Sequence, residues 1–145
     1  MLALALTTTL LAAAPAAQES VVRPLTISVT HDGSVGDQLS GRLYIMLTQG
    51  RRPPISGPNW FGPEPFFAMD VTDWSANDPL VVADQAIGMD GPISTLPDGK
   101  WGVQALLRRN PDTARLVTDG AVHSDITQFV GSGVDAGEIA LAMTT

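Results

Sequence analysis

The chain has 145 residues, and 15 acidic residues against 8 basic ones give it a formal net charge of −7 at pH 7. This length fits one domain, and the negative charge argues against a surface that binds nucleic acid. The absence of cysteine excludes disulfides and thiolate zinc sites, while 11 prolines and 14 glycines weigh against a helical protein.

The N-terminal segment Met1–Ala17 is uncharged, rich in leucine and alanine, and ends in small residues. It predicts a secretory signal peptide that is cleaved after Ala16 or Ala17, although the basic residue that normally opens such a signal is missing. The alternative is an N-terminal core helix, because the run is too short to span a bilayer. We expect an exported protein, periplasmic or extracellular, in which residues 18–145 form one domain without a membrane span.

Two strands with alternating apolar residues are predicted in the first third of the chain. They cover Leu25–Thr30 and Gly41–Thr48, and the polar turn His31–Ser34 separates them. The side chains predicted to face the core are those of Leu25, Ile27, Val29, Leu43, Ile45 and Leu47.

The segment Gln49–Pro65 is a long connection with five prolines, which no regular element can span. Aromatic residues in or beside it offer the one plausible binding surface, since exposed rings stack on sugars or seal a domain interface. The alternative is a loop that folds back over the open edge of the core. The candidate binding residues are Trp60, Phe61, Phe66, Phe67 and Trp74.

The later strands are separated by turn signals. The clearest turn is Leu96–Gly99, in which Pro97 presets φ, Asp98 can bond its own backbone and Gly99 can take a positive φ. In the strand that follows, Trp101 shares a face with other apolar residues, which predicts a core position. The predicted strands are Phe66–Val71, Leu80–Ala83, Lys100–Arg108, Val122–Val130 and Glu138–Thr144.

About seven strands with frequent turns predict an all-β protein, an antiparallel β-sandwich. Residue chemistry adds little about function, because no Gly-x-Ser-x-Gly nucleophile elbow is present. His31 and His123 each have an aspartate nearby, so a triad assembled from distant positions is one interpretation and two surface turn histidines are the other.

The acidic residues most often stand in turns, where aspartate stabilises the local backbone. One group of oxygen-bearing side chains is dense, but its spacing does not match a calcium-binding EF-hand loop. We therefore predict no catalytic residue, no metal site and no cofactor. The residues of the dense group are Asp70, Asp73, Asn77 and Asp78.

Three blocks, Gly41–Leu47, Gly62–Val71 and Leu96–Ala105, resemble the N-terminal β-sandwich region of exported bacterial esterases of the α/β-hydrolase family. The resemblance covers about residues 25–124. It implies an immunoglobulin-like or transthyretin-like sandwich that accompanies an α/β-hydrolase catalytic domain. These 145 residues contain no counterpart of that domain, so no catalytic residue is carried over.

The leading hypothesis is therefore a non-catalytic accessory or binding module of an exported esterase-like hydrolase. Two alternatives stay open. One is a self-sufficient secreted hydrolase that uses His31 or His123, and the other is an envelope module that binds carbohydrate or protein.

Overall fold

The computed structural model describes residues 21–57, 61–110, 112, 115, 117 and 120–144, and these residues form an all-β fold. The predicted signal peptide Met1–Ala17 and the candidate residue Trp60 lie outside them. The strands are β1 (Thr26–His31), β2 (Gln38–Thr48), β3 (Phe66–Ser75), β4 (Leu80–Val82), β5 (Ile87–Gly88), β6 (Gly99–Arg108), β7 (Val122–Ser124), β8 (Thr127–Gly131) and β9 (Glu138–Thr144), with 3₁₀ turns η1 (Pro54–Ser56) and η2 (Ile93–Thr95).

The strands form a curled sheet in the order β4-β1-β9-β7-β6-β2-β3-β5, with β8 also pairing with β6. The all-β prediction is confirmed. The antiparallel prediction is wrong for β1 and β9, which run parallel and pair Ile27 with Ile139 and Val29 with Leu141. A parallel pair needs a long crossover between its strands, and here almost the whole described chain connects them.

One face of the sheet carries the hydrophobic core. The predicted inward residues of the first two strands are all at most 2% exposed, so that prediction is confirmed. Trp101 is also confirmed as a core residue, because it is 4% exposed and its indole Nε1 donates to the carbonyl of Pro97 at 3.2 Å. Satisfying that N–H allows a tryptophan to be buried without an orphaned donor.

The opposite face of β2 and β6, which we call the outer face, is buried toward the C-terminal end of β2. It is formed by the residues that alternate with the core positions. Met46 is 8% exposed and Leu106 is fully buried. The described residues of the proline-rich connection fold back onto β2 and β6, because η1 contacts both strands and the amide of Ile55 donates to Gln104 Oε1 at 3.4 Å. The connection was expected to fold back over the open edge of the core, whereas η1 lies against these two strands inside the sheet.

The strand predicted over Val122–Val130 is two strands, because β6 changes partner along its length. Its C-terminal half pairs with β7 and its N-terminal half pairs with β8. At the change, the hydroxyl of buried Ser124 accepts from the amide of Ala105 at 2.9 Å, and Gln104 Nε2 donates to the Ser124 carbonyl at 2.8 Å. These bonds satisfy the backbone where the ladder breaks.

Candidate functional site

An apolar cleft of about 210 Å³ opens where β3 begins, beside η2 and the loop after β5. Its only charged lining group is Asp90. A mostly apolar concave surface with few polar side chains, here Asp90 and Thr95, is typical of a site that takes an apolar group of a ligand or partner. The main lining residues are Pro65, Phe66, Phe67, Met89, Leu96 and Pro97.

Short local hydrogen bonds fix the wall formed by η2. Thr95 Oγ1 donates to the carbonyl of Pro92 at 2.7 Å, and the amide of Ser94 donates to Asp84 Oδ1 at 2.8 Å. The carbonyl of Leu96 accepts from the amide of Gly133 at 2.9 Å, which ties this wall to the segment after β8. The cleft wall is therefore held from three parts of the chain.

Of the four candidate aromatic residues that the structure describes, Phe66 and Phe67 line the cleft. Phe66 is half-buried, and its ring centroid lies 6.4 Å from that of Tyr44. Phe67 is 4% exposed and closes the cleft from the core side. Phe61 is fully exposed and does not line the cleft.

Trp74 belongs to the core, which corrects its place among the candidate binding residues. It is 5% exposed, and its indole Nε1 donates to the carbonyl of Asp78 at 2.7 Å. Its ring meets the ring of His31 edge-on, with centroids 4.7 Å apart. Burial follows from its position on β3, since Trp74 pairs with the core residue Leu39 of β2.

Sequence reasoning missed Met89 as a cleft residue. Met89 is 48% exposed and stands in a glycine-rich loop, where its contact with β3 has no local signal. The sequence-based prediction also assigned Leu96 and Pro97 only to a turn. Their place in the cleft depends on how β6 packs beside β3 across β2, which is a long-range arrangement.

The two histidines do not form a catalytic triad with the described residues around them. The interpretation of His31 as a surface turn residue is wrong, because His31 is the last residue of β1 and is 2% exposed. Its Nε2 donates to the carbonyl of Trp74 at 3.1 Å. His123 is half-buried, and its Nδ1 lies 3.1 Å from the carbonyl of Ser124. The Ser124 hydroxyl donates to the Asp125 carbonyl rather than to an imidazole.

The dense acidic group does not converge on a single point. Asp70 forms an ion pair with Arg42 at 2.8 Å across the β2 and β3 strands. Among the residues that the structure describes, no three histidines or acids gather in a way that could hold a metal ion. Elsewhere, hydrogen bonds from the hydroxyl and amide of Ser34 lower the pKa of Asp32 below its ordinary value.

In the part of the chain described, no helix has the length and hydropathy needed to cross a bilayer. No protein-family model, curated protein or solved structure matches the chain.

Proposed function

We propose that this chain is a non-catalytic accessory module of an exported esterase-like hydrolase, and that the apolar cleft is its contact with that partner. The observation that carries the proposal is the composition of the cleft. Pro65, Phe66 and Phe67 come from one block of the resemblance, and Leu96 and Pro97 come from another.

The three blocks are also neighbours in the sheet, which supports the same proposal. Gly41–Leu47 lies in β2, which pairs with β3 on one side and with β6 on the other. The segments Gly62–Val71 and Leu96–Ala105 contribute to those two partners. Blocks separated in sequence thus form one contiguous surface.

The finer fold, an immunoglobulin-like sandwich of about seven strands, is part of this proposal. Its support is that both ends of the curled sheet contribute to one core. Ile27 and Leu141 from the β1 and β9 region share a single buried cluster with Leu43 and Leu107 from β2 and β6. A core shared by both ends of the sheet is what a sandwich would require, and this supports the proposal.

The cleft is suited to an apolar side chain of a partner. Its walls are two phenylalanines, two prolines, a leucine and a methionine, and burial of apolar surface is the main source of affinity at such sites. Exposed Ile87, two residues before Met89, extends the apolar surface at 69% exposure. Met89 and Ile87 are therefore the residues from which we would probe the contact.

A photo-crosslinking experiment in the native cells tests the proposal. Met89 is replaced by p-benzoylphenylalanine, and the cross-linked proteins of the exported fraction are identified by mass spectrometry. The expected partner is a hydrolase with a Gly-x-Ser-x-Gly elbow. Val130 on β8 is the matched control, because it is 74% exposed and lies outside the cleft.

Capture of no hydrolase from position 89, or equal capture from position 130, would overturn the accessory role. Turnover of a simple aryl ester by the purified chain, lost on replacement of His31 or His123, would favour the self-sufficient hydrolase instead. The location outside the cytoplasm is checked by the intact mass of the protein from cells. Cleavage after Ala16 or Ala17 supports export, and an uncleaved N-terminus contradicts it.

A further inference from the structure

A second cavity, of about 390 Å³, lies where β2 ends and β6 and β8 meet. Its volume is in the range of small-molecule sites, roughly 300 to 1,000 Å³. It shares no lining residue with the apolar cleft. We call it the cationic groove, and its charged and polar lining residues are Thr48, Gln49, Arg51, Arg52, Lys100 and Gln128.

Three of the eight basic residues of this acidic chain converge on the groove. Arg51 and Arg52 follow β2, and Lys100 is the second residue of β6. Within the described residues none of the three forms an ion pair. Arg52 donates to the carbonyl of Ser56 at 3.0 Å, which orients its guanidinium and leaves other donors available. From the sequence only the arginine pair was apparent. Lys100 is brought next to it by the pairing of β2 with β6.

The exposed side-chain amide of Gln128 lies over Gly102 of β6, on the face of the strand that also carries Lys100. A Cβ at Gly102 would lie 2.8 Å from Gln128 Nε2. Gln49 Nε2 lies on the other face of β6, where a Cβ at Gly99 would meet it at 2.7 Å and Trp101 Nε1 at 3.3 Å. In the part of the chain that the structure describes, neither amide has a hydrogen-bond partner.

The rim of the groove is held in place by a short polar chain. Thr48 donates to Glu64 Oε1 at 2.6 Å and accepts from the amide of Gly50 at 2.9 Å. Glu64 therefore offsets one positive charge, and the three cations leave an excess of positive charge around the cavity. The turn that presents Arg51 and Arg52 is fixed by these bonds.

From this arrangement we propose that the groove binds a small sugar that carries a carboxylate or a phosphate group. The guanidinium and ammonium groups donate to the anion, and two arginines suit the oxygens of either group. A bare anion forms no hydrogen bond with the carbonyl oxygen of the Gln128 side-chain amide. That oxygen accepts from a hydroxyl and the NH₂ group donates to one, so the Gln128 amide suits the sugar ring.

The test is a titration of the purified full chain at low salt. Binding is monitored by NMR through the backbone amide signals of Lys100, Gly102 and Gln128. The probes are glucose 6-phosphate, glucuronate, neutral glucose and inorganic phosphate. We expect a charged sugar to bind about tenfold more tightly than inorganic phosphate or glucose. Tighter binding of glucose 6-phosphate identifies phosphate as the anion, and tighter binding of glucuronate identifies the carboxylate.

Three variants make the result specific. The double variant Arg51→Gln/Lys100→Gln is expected to lower the affinity for the charged sugar by about tenfold or more. Gln128→Leu is expected to weaken binding of the charged sugar and to leave binding of inorganic phosphate unchanged. Arg23→Gln is the matched control, because this exposed arginine lies outside the groove. All the replaced side chains are exposed, so the variants are expected to fold, which thermal melting checks.

The proposal would be overturned if neither charged sugar binds, or if the charged sugars bind no more tightly than inorganic phosphate. It would also be overturned if Arg23→Gln lowers the affinity for the charged sugar as much as the groove variants do. None of these results tests the proposed contact at the apolar cleft, since the crosslinking experiment probes a different set of residues.

Discussion

Both faces of β2 and β6 bury apolar side chains, but only one of these faces belongs to the main core cluster. Leu43 and Leu107 face that core, where strands from the far end of the curled sheet pack against them. Met46 and Leu106 are buried on the outer face, outside that cluster. The comparison teaches that a strand with alternating residues need not have a fully solvent-exposed face, because apolar residues of its second face can be buried as well.

The largest expected effect is on the core face. Leu107→Ala removes a fully buried side chain from the main cluster, and we expect a loss of unfolding free energy of about 2 to 5 kcal/mol. Strands on both sides hold the surroundings of the cavity, so it cannot collapse fully. Urea denaturation followed by circular dichroism measures the loss. A loss below about 1 kcal/mol would contradict the assignment of this face as the rigid core.

The neighbouring substitution on the other face sharpens the comparison. Leu106→Ala removes the same group from an equally buried site, and we expect a smaller loss of about 2 kcal/mol because Leu106 lies outside the main core cluster. The same denaturation experiment applies, with Leu107→Ala as the matched reference. If Leu106→Ala is as costly as Leu107→Ala, the two faces are equally rigid and the comparison fails.

Gln104→Leu tests the attachment of the proline-rich connection. The substitution places an apolar side chain of similar size at this buried position and removes the bonds to Ser124 and Ile55. We expect a loss of about 1 kcal/mol, together with faster hydrogen exchange at the Ile55 amide. Unchanged exchange at Ile55 would show that other contacts hold the connection in place.

The smallest effect is expected from Asp32→Asn, in the β1–β2 turn outside both faces. Hydrogen bonds from Ser34 lower the pKa of Asp32 in the folded protein below the ordinary value of 3.8. Its stabilising contribution is therefore fully present above pH 3.8 and is lost as the pH falls through the lower folded value. We expect the slight stability difference between the wild type and Asp32→Asn to shrink under acid, and a difference that grows would contradict this sign.

Sequence periodicity was sufficient for the strands with a clear alternation. Leu43, Ile45 and Leu47 face the core as predicted, and β9 covers the predicted Glu138–Thr144. The burial of Met46 and Leu106 on the outer face was not predicted, because alternation identifies one core face and carries no signal for whether the other face is covered.

Long-range pairing explains the remaining differences. β3 continues to Ser75 rather than stopping at Val71, because its residues Trp74 and Ser75 pair with β2 beyond a bulge. That extension places Trp74 in the core. β5 has only two residues, too few for a local pattern. The cationic groove likewise arises from strand pairing, since Lys100 lies far from Arg51 in sequence.

The hydrogen bond from Trp101 to the carbonyl of Pro97 links the core to the rim of the apolar cleft. An occupant that displaces Pro97 also changes the surroundings of this indole, and tryptophan emission responds to such changes. With Trp60 and Trp74 replaced by phenylalanine, Trp101 would be the only tryptophan left of the three in the chain. The protein thus contains an intrinsic optical sensor for its own cleft, usable before any partner is known.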